Sequence, residues 1–531
     1  ATVLQGRMRS ALGVDLPLRV VFGAPDLASL ASEIDGRGPE AGGEQSTIPP
    51  RAPGEPTLPL SFGQQRFWFL EQWQPDTPLY HISGALRLTG ELDVAVLRRS
   101  VRAVADRHES LRTTLVDCGG ERRQLIGPSG SVRLPVIDLA ALADERRATL
   151  ARRLVQSAAE TPFRMDGGPL WRAVLLRLSP TEHQLALCLH HLIADGQSLT
   201  LLLAELGEDY GKRRAGETVV RPPLPVQYGD YAVWQQKWLK SDRMKRELGY
   251  WRERLSGLPD VTLPTERPRP AVQTYDSAVH EVDLPVAVAL GLPNLAQRAN
   301  ATPFMALFAA AAVALGQARE LDEVVVGTPV ANRTRPELEG VIGYVANTVV
   351  LRLGLDGCAT FSDLLARART VCLEAYDHAE VPFEQVVQDL RPDRKASHLP
   401  LFQAWFVVQD ELQVAETFDG LAVEPVGATP RLARYDLRLE LRRSAAGLRL
   451  VCEYKTDLFT AAGIEGLARQ LTTVLEEAVA APGLRLDELT GRLRAAEEQR
   501  QAEVAQAAAA YSAGAVKRRR RRAQDTGPVT S

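Results

Sequence analysis

The alternation of strand-like and helix-like segments between Leu58 and about Leu489 constrains the fold of this chain more than any other feature. Apolar runs at 171–178 and 183–191 have the length and composition of buried strands, and a short polar turn between them predicts a hairpin. Stretches with apolar residues at helical spacing separate such runs, and the mixture repeats after a proline-rich crossing at 222–226. The sequence therefore predicts an α/β fold in two halves of similar make-up.

The two ends of the chain differ in composition from this region. Residues 1–36 have the pattern of a small helical unit, and residues 37–57 are rich in Gly, Pro, Glu and Ser, as in a linker. Residues 491–531 predict an Ala-rich helix and then a disordered tail that contains six consecutive basic residues at 517–522. A nucleic-acid contact is the alternative interpretation of that basic run, and the net charge of −3 does not support it.

Composition places the 531-residue chain among soluble globular proteins, since 45% of its residues are hydrophobic and 24% are charged. The five cysteines have no C-x-x-C spacing, which favours reduced thiols over a metal cluster or a disulfide framework. No apolar run reaches the length that spans a membrane. We therefore expect a cytoplasmic protein that binds no metal, nucleic acid or membrane.

The sequence H-H-L-I-A-D-G at 190–196 is the candidate functional motif. It follows an apolar run at 185–189 that has the pattern of a buried strand. Successive side chains of a strand point to opposite faces, so His190 and His191 cannot share one role. One imidazole faces a cavity and the other packs, and the sequence predicts a single working histidine.

This motif resembles the H-H-x-x-x-D-G signature of the condensation domains of nonribosomal peptide synthetases. Six further segments resemble the remaining motifs of that family, in the same order, and they lie at 60–70, 107–113, 228–235, 342–348, 378–384 and 398–403. The fifth of the seven motifs departs from the family pattern at Val345 and Ala346, where Phe and Val are usual. The family shares its fold with chloramphenicol acetyltransferase. The resemblance implies two such lobes, at 58–222 and 223–490, which form a V-shaped pseudo-dimer with a central tunnel.

The N-terminal unit has a resemblance of its own. Residues 12–19, L-G-V-D-L-P-L-R, are similar to the later half of a peptidyl carrier domain, whose attachment motif G-G-x-S would precede residue 1. Residues 1–36 are therefore identified as the C-terminal part of a carrier domain without its phosphopantetheine serine. The resemblance implies that this chain itself binds no cofactor and that 4′-phosphopantetheine is delivered on carrier domains.

The resemblance implies an acyltransferase-type enzyme of antibiotic biosynthesis and secondary metabolism. An acyl thioester on an upstream carrier domain would be attacked by an amine, or by an alcohol, to form an amide or an ester. The nucleophile would be held on a downstream carrier domain or be free in solution. No adenylation domain begins between residue 490 and Ser531, so if Ser531 is a natural terminus, a terminal domain that releases or cyclises the product is one variant of this prediction. The alternative is an inactive platform of the same fold that recruits partner proteins, and such platforms usually have a damaged histidine motif.

The resemblance also implies roles for the residues of the motif. His191 would accept a proton during the attack of the amine or simply orient the amine, and His190 would pack away from the tunnel. Asp195 could orient His191 as the acid of a catalytic triad does. The family geometry instead pairs this aspartate with an arginine, for which Arg333 and Arg66 are the candidates.

Two further residues complete the predicted site. Gly196 lies just before a predicted helix start at Ser198, and its N–H is the candidate donor to the oxyanion. Asn347 either reaches the tunnel from the second half or serves as a turn residue beside Gly343.

Overall fold

The computed structural model describes residues 2–14, 16–24, 26–37, 47–52, 54–390, 397–410, 418–427, 432–444, 446–500 and 502. Within them the helices are α1 Thr2–Leu12, α2 Leu18–Gly23, α3 Leu27–Arg37, α4 Phe62–Trp73, α5 Val94–Arg107, α6 Asp144–Glu160, α7 Gly196–Arg214, α8 Tyr228–Trp238, α9 Asp242–Arg254, α10 Val286–Arg298, α11 Pro303–Arg319, α12 Phe361–Asp377, α13 Phe383–Leu390, α14 Ala461–Ala480 and α15 486–500. The strands are β1 Thr57–Pro59, β2 His81–Thr89, β3 Thr113–Cys118, β4 Glu121–Ile126, β5 Val136–Asp138, β6 Trp171–Arg177, β7 Glu182–His190, β8 Ser277–Asp283, β9 Glu323–Val330, β10 Asn347–Gly354, β11 Ala404–Asp410, β12 Ala422–Val426, β13 Leu437–Ser444 and β14 Gly447–Lys455.

The first lobe is built on a five-stranded sheet with the order β12-β2-β7-β6-β5. The predicted hairpin is present as the antiparallel pair β6 and β7. On the other side of β7 lies β2, which places His81 opposite His190. Helix α5 begins where Asp93 accepts hydrogen bonds from the N–H groups of Ala95 and Val96, as expected for an N-cap aspartate. A separate small sheet has the order β1-β4-β3.

The second lobe is built on a six-stranded sheet with the order β10-β9-β11-β13-β14-β8. Helix α11 lies in the core of this lobe, where residues 305–316 are all buried. A helix that is apolar on every side is suited to such complete burial. The α/β fold predicted from the alternating pattern is thus confirmed, with one main sheet for each lobe.

Strand β12 departs from the predicted lobe boundaries of 58–222 and 223–490. It follows strands of the second lobe in sequence, yet it pairs antiparallel with β2 at the edge of the first sheet, where Val423 lies opposite Leu88. Leu421 and Val423 are buried in the core of the first lobe. The boundary is wrong for this segment because the unpaired edge of β2 offers it a full ladder of hydrogen bonds.

The N-terminal unit is helical, as predicted, and packs on the second lobe. Its own small core contains Met8, Val14, Leu16 and Leu30. Leu18 instead belongs to the core of the second lobe, and its N–H donates to the side chain of Asp377 at 2.7 Å. The unit is therefore fixed to the lobe by both an apolar and a polar contact. Its identity as part of a carrier domain stays a prediction.

The predicted linker at 37–57 has the composition of a flexible segment, but its described part is packed against the lobes. Residues 38–46 lie outside the described part of the chain. Ile48 is buried, and Arg51 forms ion pairs with Glu109 at 2.7 Å and with Asp230 at 2.8 Å. An apolar side chain and a doubly paired arginine are enough to hold this stretch against both lobes, although glycine and proline dominate its composition.

Helix α15, at 486–500, begins before the segment predicted at 491–531 and includes its first ten residues. The alanine-rich stretch that follows lies, apart from residue 502, outside the described residues. Leu489 and Leu493 anchor α15 in the core of the second lobe. The basic run at 517–522 lies outside the described residues. Within those residues no helix taken singly is long and apolar enough to cross a membrane, whereas α10 and α11, bent by 105° to each other, pass that test only as a pair.

Candidate active site

His191 lies directly after β7, between the two lobes. Its backbone N–H donates to the carbonyl of Tyr80 at 2.8 Å, and its ring Nδ1 lies 3.2 Å from the carbonyl oxygen of Ala194. Because a carbonyl only accepts, Nδ1 carries the hydrogen and the lone pair is on Nε2. The imidazole stacks on Phe67 with ring centroids 5.6 Å apart, and the ring of Tyr344 meets it edge-on at 5.9 Å.

The imidazole of His191 is neutral at pH 7. Burial lowers its pKa to about 4, although the carboxylate of Asp195 and the carbonyl of Ala194 favour the charged form. Desolvation is therefore stronger here than the attraction of the nearby negative groups. A neutral ring with its lone pair on Nε2 is able to accept a hydrogen bond or a proton from a nucleophile that enters the site.

His190 has different surroundings from His191, as strand alternation predicts. Its Nδ1 accepts a hydrogen bond from the N–H of Leu192 at 3.0 Å, and the residue is only 2% exposed. The rings of Phe67, His81 and Phe163 surround it with centroids 6.0 to 6.3 Å away. Burial holds the pKa of His190 well below its usual value. This histidine contributes to packing.

Asp195 joins the two lobes. Within the first lobe it caps α7 by accepting from the N–H of Ser198 at 2.8 Å and from its hydroxyl at 2.7 Å. From the second lobe it accepts from Arg333 at 3.1 and 3.2 Å. The N–H groups of Val345 and Ala346 also donate to it, both at 3.1 Å. Because these two contacts use the backbone, the unusual side chains in the fifth motif do not disturb them.

Arg333, and not Arg66, is the partner of Asp195. Arg333 also donates to the carbonyl oxygens of Leu338 at 2.6 Å and Val341 at 2.7 Å, so its side chain holds the loop that precedes β10. The ring Nδ1 of His191 bonds to a backbone carbonyl instead of to Asp195, so the triad arrangement considered from the sequence does not form.

Arg66 instead forms an ion pair with Glu384 at 2.8 Å. Its guanidinium also lies 5.6 Å from the ring centroid of Phe383. Burial opposes the charge of Arg66, but Glu384 and nearby tyrosines keep its pKa above the ordinary value. Arg66 is therefore a second polar contact between the lobes, since α4 carries the arginine and α13 carries the glutamate.

Gly196 is the exposed first residue of α7. An N–H at this position has no acceptor within its own helix and lies at the positive end of the helix dipole. A methyl group added at Gly196 would meet no atom within 4 Å, so packing of the chain does not require glycine here. The oxyanion role of its N–H stays a prediction.

Asn347 does not form a turn, so that expectation is wrong, whereas its reach to the tunnel stays a prediction. It is the buried first residue of β10, and its Nδ2 donates to the carbonyl oxygens of Ala379 and Val381. Its Oδ1 accepts from the N–H of Phe383 at 3.1 Å. The amide is fully occupied with the loop that leads into α13, and so it helps to place Glu384 against Arg66.

A cavity of about 520 Å³ lies between the lobes, and its lining includes Tyr80, whose carbonyl accepts the His191 N–H. Both lobes contribute to its wall, and its lining includes Arg66, Tyr80, Arg434 and Tyr435. Of these, reasoning from the sequence identified only Arg66. The others follow no shared spacing and are brought together by tertiary packing, so the sequence offers no local signal for them.

Comparisons with known proteins agree with this arrangement. Residues 55–501 match a family model described as Condensation domain. The chain is 37% identical over 454 residues to chondramide synthase cmdD of Chondromyces crocatus, covering 85% of this chain and 12% of that protein. It is also 38% identical over 475 residues to phosphinothricin tripeptide synthetase PhsC of Streptomyces viridochromogenes, covering 89% and 44%. The chain thus spans less than half the length of these relatives.

Solved structures share the fold. The X-domain from teicoplanin biosynthesis, in its complex with OxyB, is 30% identical with a TM-score of 0.73, covering 83% of this chain and 97% of that one. The first condensation domain of the calcium-dependent antibiotic synthetase is 22% identical with a TM-score of 0.68, covering 81% and 98%. At that lower identity the likeness shows the fold alone. The two-lobed α/β prediction from the family resemblance is confirmed at this level.

Proposed function

This chain belongs to the condensation domain family, and on that premise we propose that it joins a carrier-bound acyl group to an amine at His191. The observation that carries the proposal is the neutral imidazole between the lobes, whose Nδ1 is fixed by Ala194 and whose Nε2 has its lone pair. A thioester is already activated, so the site has to align two substrates, manage one proton and stabilise an oxyanion.

The reaction balances without any further reactant. The amine nitrogen attacks the thioester carbonyl carbon, a C–N bond forms, and the carbonyl oxygen becomes an oxyanion. The C–S bond then breaks, the oxyanion returns to a carbonyl, and the sulfur leaves as a thiol with the proton that the amine loses. His191 is placed to hold the amine N–H through Nε2 or to transfer that proton to the sulfur.

The low pKa of His191 favours the orienting role over full proton removal. An α-amino group has a reference pKa of about 8, so part of it is already the neutral nucleophile near pH 7. A base with a pKa of about 4 is a weak proton acceptor for a hydroxyl group. This contrast supports an amine rather than an alcohol as the nucleophile.

Helix α7 supplies the proposed oxyanion site. Its first residue, Gly196, presents its N–H at the exposed end of a 19-residue helix, four residues after Leu192. The positive end of the helix dipole stabilises negative charge that develops there. The absence of a Cβ lets an oxyanion approach the backbone closely.

The partners of the reaction follow from the same chemistry. We propose that the acyl donor arrives on the 4′-phosphopantetheine arm of an upstream carrier domain, as part of the substrate. The amine arrives on a downstream carrier domain or in solution. The helices α1 to α3 are proposed to be the end of the upstream carrier, held on the second lobe through Leu18 and Asp377. We propose a cytoplasmic location, because the proposed carrier partners and reduced cysteine thiols are both typical of the cytoplasm.

A second candidate function is a platform that recruits another protein. The observation that favours it is the 30% identity to the X-domain from teicoplanin biosynthesis, which was solved in a complex with OxyB. The intact motif supports catalysis instead. The imidazole of His191 is fixed by Ala194, Asp195 is paired with Arg333, and Gly196 begins α7. Release or cyclisation of the product is a variant of the catalytic proposal that uses the same histidine with another nucleophile.

Mass spectrometry of the products tests these functions. The chain is mixed with an acyl-loaded carrier domain and with an aminoacyl-loaded carrier domain, a free amine or neither. An amide formed by the wild type and not by His191→Ala supports the catalytic proposal. A cyclic or hydrolysed product in the arm without amine assigns the release variant. No product in any arm, together with a stable complex with a partner protein, supports the platform.

A further inference from the structure

The cavity between the lobes contains a guanidinium group without an acidic partner. The Nε and Nη2 atoms of Arg434 are buried, and among the described residues neither has a hydrogen-bond acceptor. The guanidinium carbon lies 5.4 Å from the ring centroid of Tyr80 and 5.2 Å from that of Tyr435. All three side chains line the cavity. The charge of Arg434 is therefore flanked by aromatic rings at the wall of the cavity.

The nearby carboxylates are already committed to other cations. Glu384 pairs with Arg66 at 2.8 Å across the lobe interface. Asp436, two residues after Arg434, pairs with Arg269 at 2.6 Å and with Lys455 at 3.1 Å. Each of these two carboxylates already forms an ion pair with another cation. Among the described residues that line the cavity, the Arg434 charge thus remains unbalanced.

A buried guanidinium without an acidic partner lowers the stability of the fold unless a bound anion compensates its charge. Arginine stays protonated at any physiological pH, so it cannot relieve the cost by losing its proton. The faces of Tyr80 and Tyr435 attract the charge, but a ring face does not satisfy the N–H groups in the plane of the guanidinium. A carboxylate would satisfy two of those N–H groups at once through a bidentate contact.

Tyr80 lies between the cavity and His191. The carbonyl of Tyr80 accepts the His191 N–H at 2.8 Å, and its ring lies beside the Arg434 guanidinium. One residue of the first lobe therefore contacts both groups. A substrate whose reacting centre lies at His191 is able to place a side chain of moderate length in this cavity, which has a volume of about 520 Å³.

We propose that Arg434 is a specificity-determining residue that binds a carboxylate carried by the substrate away from its reacting carbon. This inference rests on the proposed function and names its substrate class: an acyl or aminoacyl group with an acidic side chain. The phosphate of a phosphopantetheine arm offers the same anionic oxygens, so the test has to separate the two sources.

The test compares two probes that differ by one charge, the N-acetylcysteamine thioesters of glutamate and of glutamine. Both lack the phosphate of the natural arm. Each is used with a free α-amine, as an acceptor, and with an acetylated amine, as a donor. Binding to the full chain is measured by calorimetry, and amide formation is measured separately by mass spectrometry, so binding is read without turnover.

We expect the wild type to bind the glutamate probe about ten- to a hundredfold more tightly than the glutamine probe on one of the two sides. Arg434→Gln should bring this ratio to within about twofold and leave affinity for the glutamine probe unchanged. Arg434→Lys, which keeps the charge without the bidentate fork, should give an intermediate ratio. Gln385→Ala, at the wall of the same cavity, is the matched control and should keep the wild-type ratio.

Three outcomes overturn the proposal. Equal affinity of the wild type for both probes would show that the cavity does not select a carboxylate. An equal loss of affinity for both probes in folded Arg434→Gln and Arg434→Lys would show that the arginine supports the structure of the cavity and does not select the carboxylate. Arg434 would be assigned to phosphate if the wild type bound coenzyme A thioesters more tightly with their phosphates than without them and bound the two small probes equally. Selective binding without amide formation would contradict the proposed function alone.

Discussion

The carboxylate of Asp195 and the guanidinium of Arg333 lie 3.1 Å apart with both side chains only 3% exposed, one from each lobe. A buried pair of this kind is most sensitive to the loss of one partner, because the remaining charge then has no compensation. Asp195→Asn should therefore destabilise the chain by about 3–5 kcal/mol. Denaturant unfolding measures this.

The double variant with Arg333→Met separates charge from packing. If the uncompensated arginine is the cause, removing it as well should recover part of the stability lost in Asp195→Asn. A change below about 1 kcal/mol in the single variant would contradict the assigned role, since that is the range of surface ion pairs.

The two adjacent histidines should respond differently to substitution. His191→Ala should reduce amide formation by about 10²- to 10⁴-fold. It should lower the melting temperature less than His190→Ala does, because His191 is the less buried of the two histidines. His190→Ala should lower the melting temperature, since it leaves the N–H of Leu192 without its acceptor and opens a space beside Phe67. Loss of activity in folded His190→Ala with full activity in His191→Ala would reverse the assignment.

The pH dependence should show a histidine that titrates far below its usual range. Because the pKa of His191 is about 4, the acid limb of kcat/KM from this group should lie near pH 4 rather than near the ordinary 6.5. Activity is retained above that limb and lost as the pH falls through it, when Nε2 takes a proton. An acid limb of kcat/KM near pH 6.5 that moves when an amine of different pKa is used belongs to the substrate. A limb that stays near pH 6.5 with every amine would contradict the lowered pKa of His191.

The same shift predicts acid destabilisation. The folded-state pKa of His191 lies below 6.5, so the unfolded chain binds more protons and stability falls as the pH drops from about 6.5 to about 4. Burial of His190 acts in the same direction. His191→Gln should make the unfolding free energy less dependent on pH across that window. An unchanged slope would show that other groups dominate it.

Gly196→Ala should leave the fold intact and impair the reaction. Space for a methyl group is present, so the melting temperature should change little. If the oxyanion approaches this N–H closely, the added methyl should lower kcat by at least about tenfold, since one donor of an oxyanion hole contributes about 10²–10³. Gly168→Ala is the matched control, because it also meets no atom within 4 Å and lies outside the site. Equal activity of both variants would remove Gly196 from the mechanism.

Local patterns predicted the parts of the fold that local forces determine. The hairpin of β6 and β7 depends on neighbours in sequence, and it was predicted. The choice between Arg333 and Arg66 depends on which loop lies opposite α7, so the sequence left it open. The turn expected at Asn347 was wrong because its three side-chain hydrogen bonds all go to one segment, at 379–383, that only tertiary packing brings beside it.

Arg434 shows a further limit of reasoning from sequence. An arginine in a sequence of 531 residues gives no indication of whether a carboxylate will lie opposite it. Here the relevant information is the pairing of Asp436 with two other cations and of Glu384 with Arg66, which leaves neither of these two carboxylates for Arg434. Such a residual charge is visible only from the tertiary arrangement.

The crossing of β12 into the first sheet makes the two lobes inseparable as building blocks. A fragment that ends at residue 222 would lose the strand that covers the edge of β2, together with the buried side chains of Leu421 and Val423. Exposed strand edges of this kind promote aggregation. The unit to keep whole when this domain is recombined therefore runs from the N-terminal helices, which pack on the second lobe, to the end of α15, and chains cut between the lobes should aggregate.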